Sequence, residues 1–141
     1  MAHPADYSDA HSRHWEDAEL LYNDERWANA DQLYGFSAEC GLKAVMKCLG
    51  MAVDPTTGAP TAKKYWKHVQ ELWPKFTGFV ASRGGARYLA LLPRGAPFAD
   101  WSTDDRYANS SHFEEANVNP HRQAALAIRG MVQKLRRDGR L

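Results

Sequence analysis

Apolar residues recur at three- and four-residue spacing over residues 9–23 and again from Trp27 to a stop at Gly50. This spacing places them on one stripe of an α-helix and predicts two amphipathic helices. The polar break at residues 23–25 is short, so the two helices are expected to lie antiparallel as a hairpin. The second stripe contains Ala30, Leu33, Tyr34, Ser37, Gly41, Val45 and Cys48.

A third helix is predicted over residues 63–80, with Pro74 expected to kink or split it because proline lacks an amide donor. Its inward positions are Tyr65, Val69, Leu72, Trp73, Phe76 and Phe79. The apolar patch at residues 88–92 is too short to distinguish a helix from a strand by period, and we interpret it as helix. The Pro- and Gly-containing segment 50–62 predicts a surface loop.

Residues 93–119 predict a long connection with at most a short helix at residues 111–117. Asn119-Pro120 has the composition of an N-cap followed by the first helical residue, so the last helix is predicted to begin there and to end at Gly139. Its inward residues are Ala124, Ile128, Met131 and Leu135. The periodic segments together predict an all-α fold of four to five packed helices.

The chain has 141 residues, of which 44% are hydrophobic and 25% charged, which is typical of one globular domain covering residues 1–141. Its formal net charge of +1 provides no general attraction for a polyanion, so nucleic-acid binding would need a local patch. The sequence contains neither a basic apolar leader nor a stretch long enough to span a membrane. We therefore expect a cytoplasmic protein without a membrane partner.

Several short segments occur in the order found in a known family. The central one is Ser37-Ala38-Glu39-Cys40-Gly41-Leu42-Lys43; it is preceded by Asp17-Ala18-Glu19-Leu20-Leu21 and Trp27-Ala28-Asn29-Ala30, and followed by His68-Val69-Gln70-Glu71-Leu72 and Arg106-Tyr107. This series resembles the HEPN (higher eukaryotes and prokaryotes nucleotide-binding) domain family. The resemblance implies an up-and-down helical bundle, frequent homodimerisation, and roles in nucleotide binding, in RNA-cleaving toxins of toxin–antitoxin systems, or as partners of nucleotidyltransferases.

Arg106 and His112 are separated by five residues, a spacing similar to the arginine and histidine motif of the family's ribonucleases. In metal-independent RNA cleavage a histidine moves protons while a guanidinium stabilises the phosphorane charge. Tyr107 departs from the polar residue usual after the arginine. The alternative is that Arg106 and Tyr107 bind a ligand or a structural carboxylate while His112 is a surface residue.

Glu39 and Lys43 lie four residues apart and are expected to form a helical ion pair. A functional interpretation places Glu39 against the Arg106 segment. His68, near the start of the third helix, is expected either to pack or to contact a phosphate beside the amides of the helix terminus. The basic C-terminal residues of the last helix suit its dipole or form a phosphate-binding patch.

The leading functional hypothesis is a HEPN-like module that binds a nucleotide or RNA phosphate through Arg106, with Tyr107, Glu39, Lys43 and His68 as further ligand contacts. The first alternative is a dimeric endoribonuclease that uses Arg106 and His112. The second is a protein-interaction subunit that docks onto an antitoxin, a nucleotidyltransferase or a second copy. No cofactor and no metal are expected, since His11 and His14 have no nearby ligands to complete a site.

Overall fold

The computed structural model describes residues 3–141 and contains five α-helices in that range, which confirms the predicted all-α class. The one β feature among these residues is an isolated antiparallel bridge between Val53 and Pro60. The helices are α1 (Tyr7–Asn23), α2 (Trp27–Cys48), α3 (Val69–Ala81), α4 (Ala86–Leu89) and α5 (Glu115–Arg137). No helix of the described residues combines the length and apolar character that crossing a membrane requires.

Helices α1 and α2 form the predicted antiparallel hairpin. Asp6 caps α1 by accepting a hydrogen bond from the Asp9 amide, and the chain turns before α2 through Glu25, whose φ is +58°. The buried imidazole of His11 lies 2.7 Å from the carbonyl oxygen of Ser37, and their close packing joins the N-terminal half of α1 to the middle of α2.

Helix α2 lies at the centre of the fold and packs against α1, α3 and α5. This position explains why residues on several of its faces are buried. Of the predicted stripe, Leu33 and Cys48 are only half-buried and the other five residues are buried. The predicted inward residues of α5 are all buried, as are those of α3 apart from the half-buried Tyr65 of the preceding turn. Local 3.6-residue periodicity therefore identified the core faces correctly.

Every seventh residue of α5 contacts α1, because seven residues are close to two helical turns and remain on one face. The contacting pairs are Tyr22 with Glu115, Glu19 with Arg122, Trp15 with Arg129, and Ser8 with Arg136. In this series of polar and cation–π contacts, the residue numbers increase along α5 while those on α1 decrease. The first and last helices are therefore antiparallel to each other.

The predicted start of α3 at residue 63 is wrong. A single 3-10 turn forms at Lys63–Tyr65, the chain is extended at His68 with φ −76° and ψ 170°, and α3 begins at Val69. The indole N–H of Trp66 donates to the Pro60 carbonyl and holds this break. Pro74 lies inside α3 and does not divide it, so the interruption occurs before the helix.

The predicted start of α5 at Asn119-Pro120 is also wrong. The helix begins at Glu115 because Glu114 and Asn117 form a reciprocal capping box. Pro120 then lies within the helix, where its missing amide leaves only the Ala116 carbonyl without a helical donor. Ala116 is exposed, so water can satisfy that carbonyl.

Residues 90–114 connect α4 to α5, and we call this segment the strap. It is irregular except for two 3-10 turns, Thr103–Tyr107 and Ser110–His112, and lacks the predicted short helix at residues 111–117. Trp101 anchors the strap by donating from its indole to the Asp31 carbonyl, and Gln32 donates to the carbonyl of Ser102. The strap therefore crosses the N-terminal half of α2.

Candidate functional site

Glu39, Lys43 and His68 come together on one side of α2. One carboxylate oxygen of Glu39 accepts from the Lys43 ammonium at 2.9 Å, and the other lies 2.8 Å from Nδ1 of His68. Glu39 and Lys43 are largely buried, whereas 52% of the His68 side chain is exposed. The predicted helical ion pair is confirmed, and Glu39 also orients the imidazole.

The three side chains line a cavity of about 900 Å³, which we call the α2–α3 cavity. With Nδ1 of His68 directed at Glu39, Nε2 has no hydrogen-bond partner among residues 3–141. It can therefore accept or donate a proton towards a ligand. The remaining lining residues come from the N-terminus and from the loop between α2 and α3: Ala5, Tyr7, Asp54, Thr57, Ala59, Pro60, Thr61, Trp66 and Lys67.

The loop wall of the cavity is held by specific hydrogen bonds. Asp54 accepts from the amides of Thr56 and Thr57, which lowers the pKa of its carboxyl and keeps it charged. The Tyr7 hydroxyl donates to the Gly58 carbonyl, and burial, with smaller effects of Cys40 and Glu39, raises the pKa of Tyr7. The cavity is therefore bordered by a fixed carboxylate and a neutral phenol.

Trp66 and Lys67 add two groups suited to ligand contact. The Trp66 side chain is 57% exposed although its indole N–H is satisfied by Pro60, so its ring face is open while its polar edge is fixed. Lys67 lies 3.3 Å from Glu71 in a largely exposed ion pair. An exposed pair of this kind is weak and can exchange its carboxylate for another anion.

The N-terminus of α3 directly follows two residues that line the cavity. His68 is the N-cap residue, and its side chain bonds Glu39 instead of capping the helix. The backbone amides of Val69 and Gln70 have no hydrogen-bond partner among the described residues. Free amides at a helix N-terminus carry partial positive charge and attract anions.

Arg106 and Tyr107 lie elsewhere, on the first 3-10 turn of the strap. Arg106 donates to the Thr103 carbonyl at 2.9 Å, and its guanidinium stacks on the ring of Tyr107 at 4.4 Å. Both side chains are exposed, Tyr107 to 78%. Within residues 3–141 no carboxylate lies within ion-pair distance of Arg106, so the expected contact with Glu39 is not formed.

His112 ends the second 3-10 turn of the strap and is exposed. Both turns pack against α2, yet neither contributes a residue to the lining of the α2–α3 cavity. The six predicted site residues therefore fall into two groups, one inside the cavity and one on the surface of the strap.

Sequence reasoning missed Trp66, Lys67, Asp54 and Tyr7 as cavity residues. Trp66 carried one usable signal, since it falls outside the apolar stripe predicted for the third helix. No sequence signal brings residues 54–57 to Glu39, because the loop's return is fixed by hydrogen bonds such as that from Tyr7 to Gly58. The described residues include no cluster of three or more His, Cys, Asp or Glu side chains arranged to hold a metal ion.

Comparison of the chain with protein-family models, with curated proteins and with solved structures finds no match. The site's geometry is thus the basis for a functional assignment.

Proposed function

We propose that this protein binds a nucleotide in the α2–α3 cavity. The observation that carries the proposal is that Glu39, Lys43 and His68 line one cavity together with the exposed ring of Trp66. Such a site combines an aromatic face for a base with cationic and amide donors for a phosphate, which are the two chemical features that define a nucleotide.

In the proposed complex the base stacks on Trp66 and the phosphate lies at the N-terminus of α3. Lys67 donates to the phosphate oxygens, and Nε2 of His68 does so when the imidazole is protonated, because Nδ1 already donates to Glu39. The free amides of Val69 and Gln70 contribute their partial charge. Glu39 positions His68 through Nδ1 and neutralises Lys43, so that the buried ammonium does not remain uncompensated.

A small nucleotide suits the cavity better than a long RNA backbone. The lining contains two carboxylates, Glu39 and Asp54, beside the cations Lys43 and Lys67. This balanced charge provides no net attraction for a polyanion, but it accommodates one phosphate group at the α3 end and hydrogen-bond donors of a sugar or base near Asp54.

Calorimetric titration of the purified full chain tests the proposal. Nucleoside 5′-monophosphates are expected to bind more tightly than the matching nucleosides and than inorganic phosphate, because only the nucleotides engage both ends of the site. If none of the three classes binds at concentrations up to about 1 mM, a level corresponding to about −4 kcal/mol, the proposal is wrong.

Variants locate the site. Trp66→Ala is expected to weaken nucleotide binding by about 1–3 kcal/mol through loss of stacking. Lys67→Gln is expected to weaken the nucleotide but not the nucleoside, whereas the neighbouring Lys64→Gln, which alters an exposed lysine outside the cavity lining, leaves both unchanged. Arg106→Ala is also expected to bind normally; loss of binding in that variant alone would move the site to the strap.

The strap favours a second candidate function, metal-independent RNA cleavage. The specific observation is that Arg106 is exposed, stacked on Tyr107 and without a carboxylate partner among the described residues, while His112 is exposed on the same segment. A guanidinium in this state is available to a phosphodiester, and a histidine on the next turn of the strap can move the proton of a 2′-hydroxyl.

Incubation of the protein with mixed RNA in the presence of EDTA separates the two functions. Cleavage that is lost in both Arg106→Ala and His112→Ala, and retained in Trp66→Ala, supports the nuclease. Absence of cleavage by the unmodified chain, at protein concentrations where size-exclusion chromatography shows a dimer, contradicts it.

A further inference from the structure

His121 is buried between two carboxylates that come from different parts of the fold. Its Nδ1 lies 2.6 Å from Asp31 on α2, and its Nε2 lies 2.8 Å from Asp100 on the strap. The imidazole stacks on Phe98 of the strap, with ring centroids 5.4 Å apart and planes inclined by 14°. One side chain of α5 therefore joins α5, α2 and the strap.

The two contacts require a particular protonation state. A neutral imidazole has one N–H and one lone pair, so it can donate to only one of two carboxylates. Donation to both needs the imidazolium, whose positive charge lies between two negative charges. Burial opposes this charge, but the hydrogen bonds and charges of Asp31 and Asp100 outweigh it and raise the pKa of His121 above its usual value.

The two carboxylates differ in their access to water. The Asp31 side chain is 3% exposed and cannot leave the ring without losing its hydrogen bond inside the protein, whereas the Asp100 side chain is 83% exposed. If Nε2 loses its proton, its lone pair faces the Asp100 carboxylate. Asp100 can then turn into solvent at little cost, while Asp31 keeps the Nδ1 proton.

We propose that Asp31, His121 and Asp100 form a proton-operated latch that ties the strap to α2 and α5 while His121 is protonated and loosens the strap when it is neutral. The consequence is functional because the strap presents Arg106, Tyr107 and His112. The latch controls the mobility of that surface. None of its three residues lines the α2–α3 cavity, but Trp101 of the strap lies edge-on to His68, with ring centroids 6.5 Å apart.

The charges around the His121 ring favour its protonated form, which closes the latch. Asp31 faces it from α2 and Asp100 from the strap, and Asp105 on the following 3-10 turn adds a third negative charge near Asp31. On α5 itself the adjacent Arg122 is directed away, to Glu19. When the ring is neutral, no cation among the described residues forms an ion pair with Asp31 or Asp100.

The raised pKa of His121 determines whether the latch opens in acid or in base. The latch is closed at and below the unfolded-state pKa of histidine, 6.5, and opens as the pH rises through the higher folded-state value of His121. Backbone hydrogen exchange, corrected for the intrinsic pH dependence of exchange, measures the opening directly. The amide of Trp101, which donates to the Phe98 carbonyl within the strap, is the reporter.

Between pH 6 and pH 9 the protection of the Trp101 amide in the full chain is expected to fall by about tenfold, while core amides such as that of Leu42 on α2 keep theirs. The ring ¹⁵N shifts of His121 should change from imidazolium to neutral over the pH interval in which protection is lost, and a ring that stays protonated while protection falls would contradict the latch. An equal loss of protection at Leu42 would mean global unfolding and would overturn the latch, as would a ring that stays neutral throughout.

Asp100→Asn provides the decisive variant. An asparagine amide can accept from a protonated Nε2 through its oxygen or donate to a neutral one through its nitrogen, so strap protection should become independent of pH. Asp104→Asn, at an exposed strap carboxylate outside the triad, is expected to retain the tenfold change. Full pH dependence in Asp100→Asn, or none in the unmodified chain, contradicts the proposal.

Discussion

The indole of Trp101 occupies the space that a side chain on Gly35 would need. A Cβ placed on Gly35 would lie 2.0 Å from Cε2 of Trp101, far inside van der Waals contact. Trp101 is fully buried and tied through its indole N–H to Asp31, so it cannot retreat easily. This close approach between α2 and the strap explains a glycine in the middle of a helix, where the residue is otherwise unfavourable.

Gly35→Ala is therefore expected to destabilise the protein by about 1–3 kcal/mol, since overpacking outweighs the better helix propensity of alanine. The matched control is Gly130→Ala in α5, where an added Cβ meets no atom within 4 Å. That change should stabilise the fold by about 0.5–1 kcal/mol. Urea unfolding of both variants measures the difference, and a neutral or stabilising Gly35→Ala would show that the strap does not pack on α2 in this way.

Glu19 and Arg122 join α1 to α5 through a bidentate ion pair. Glu19 accepts from Nε and Nη2 of Arg122 at 2.7 and 3.1 Å and also from the buried Tyr34 hydroxyl. Glu19→Gln is expected to lower the free energy of unfolding at pH 7 by about 1.5–3 kcal/mol, because hydrogen bonds to a charged group are lost. The exposed Glu16→Gln on the same helix should change it by less than about 0.5 kcal/mol.

The contribution of Glu19 to the free energy of unfolding should depend on pH. The hydrogen bond from Arg122 lowers the pKa of Glu19, so its stabilisation is present above the unfolded value of 4.5 and is lost as pH falls through the lower folded value. Unfolding curves at pH 7, 5 and 3 should show the gap between the unmodified chain and Glu19→Gln closing with acid. A gap that stays constant argues against this linkage.

His11 is buried, and its Nε2 has no hydrogen-bond partner among residues 3–141. Burial lowers the pKa of His11 to about 4, although the hydrogen bond to Ser37 acts to raise it. Because the folded value lies below the unfolded one, the stability that neutral His11 contributes is present above pH 6.5 and is lost as pH falls towards 4. The loss amounts to roughly 3 kcal/mol over that interval.

The His11→Leu variant should therefore show a smaller decrease in unfolding free energy between pH 6.5 and pH 4.5 than the unmodified chain. Denaturant melts at half-unit intervals provide the measurement. His14→Leu, at the half-buried neighbouring histidine, serves as a comparison for the general cost of replacing an α1 histidine. Equal acid dependence in His11→Leu and the unmodified chain would contradict a buried neutral His11.

Cys40 should be almost inert towards alkylation in the folded protein. Both cysteines are free thiols, and burial raises the pKa of Cys40 to about 12. At pH 8 this lowers its thiolate population about a thousandfold relative to an ordinary thiol. Iodoacetamide labelling of a Cys48→Ser variant, whose sole thiol is Cys40, should be slow in buffer and fast in urea; rapid native labelling would contradict this.

Short-range patterns were sufficient for the helices. The stripes of α1, α2 and α5 appear in the sequence because apolar residues must repeat every three or four positions to reach one core. The helix ends were harder to predict from the sequence. Asn119-Pro120 has the composition of a helix start, yet the capping box at Glu114 and Asn117 begins α5 earlier. A cap depends on side-chain hydrogen bonds whose geometry composition does not specify.

The candidate site was predictable only in part. Glu39 and Lys43 are one helical turn apart, so their ion pair follows from α2 alone, and the position of His68 at the start of α3 was also expected. The packing of distant segments decided two further features. It brought His68 to the carboxylate of Glu39 that Lys43 also contacts, and it placed the loop with Asp54 and Trp66 along the cavity. The same packing separated Arg106 from Glu39.

The sequence by itself determined the all-helical class, the inward faces of the main helices and the Glu39–Lys43 pair, because each arises from residues within a few helical turns of one another. The tertiary structure decided which distant side chains meet: His68 with Glu39, His121 with Asp31 and Asp100, and Trp101 with Gly35. These contacts join residues 21 to 90 positions apart, and only the packing of α2 against the strap, α3 and α5 sets their distances.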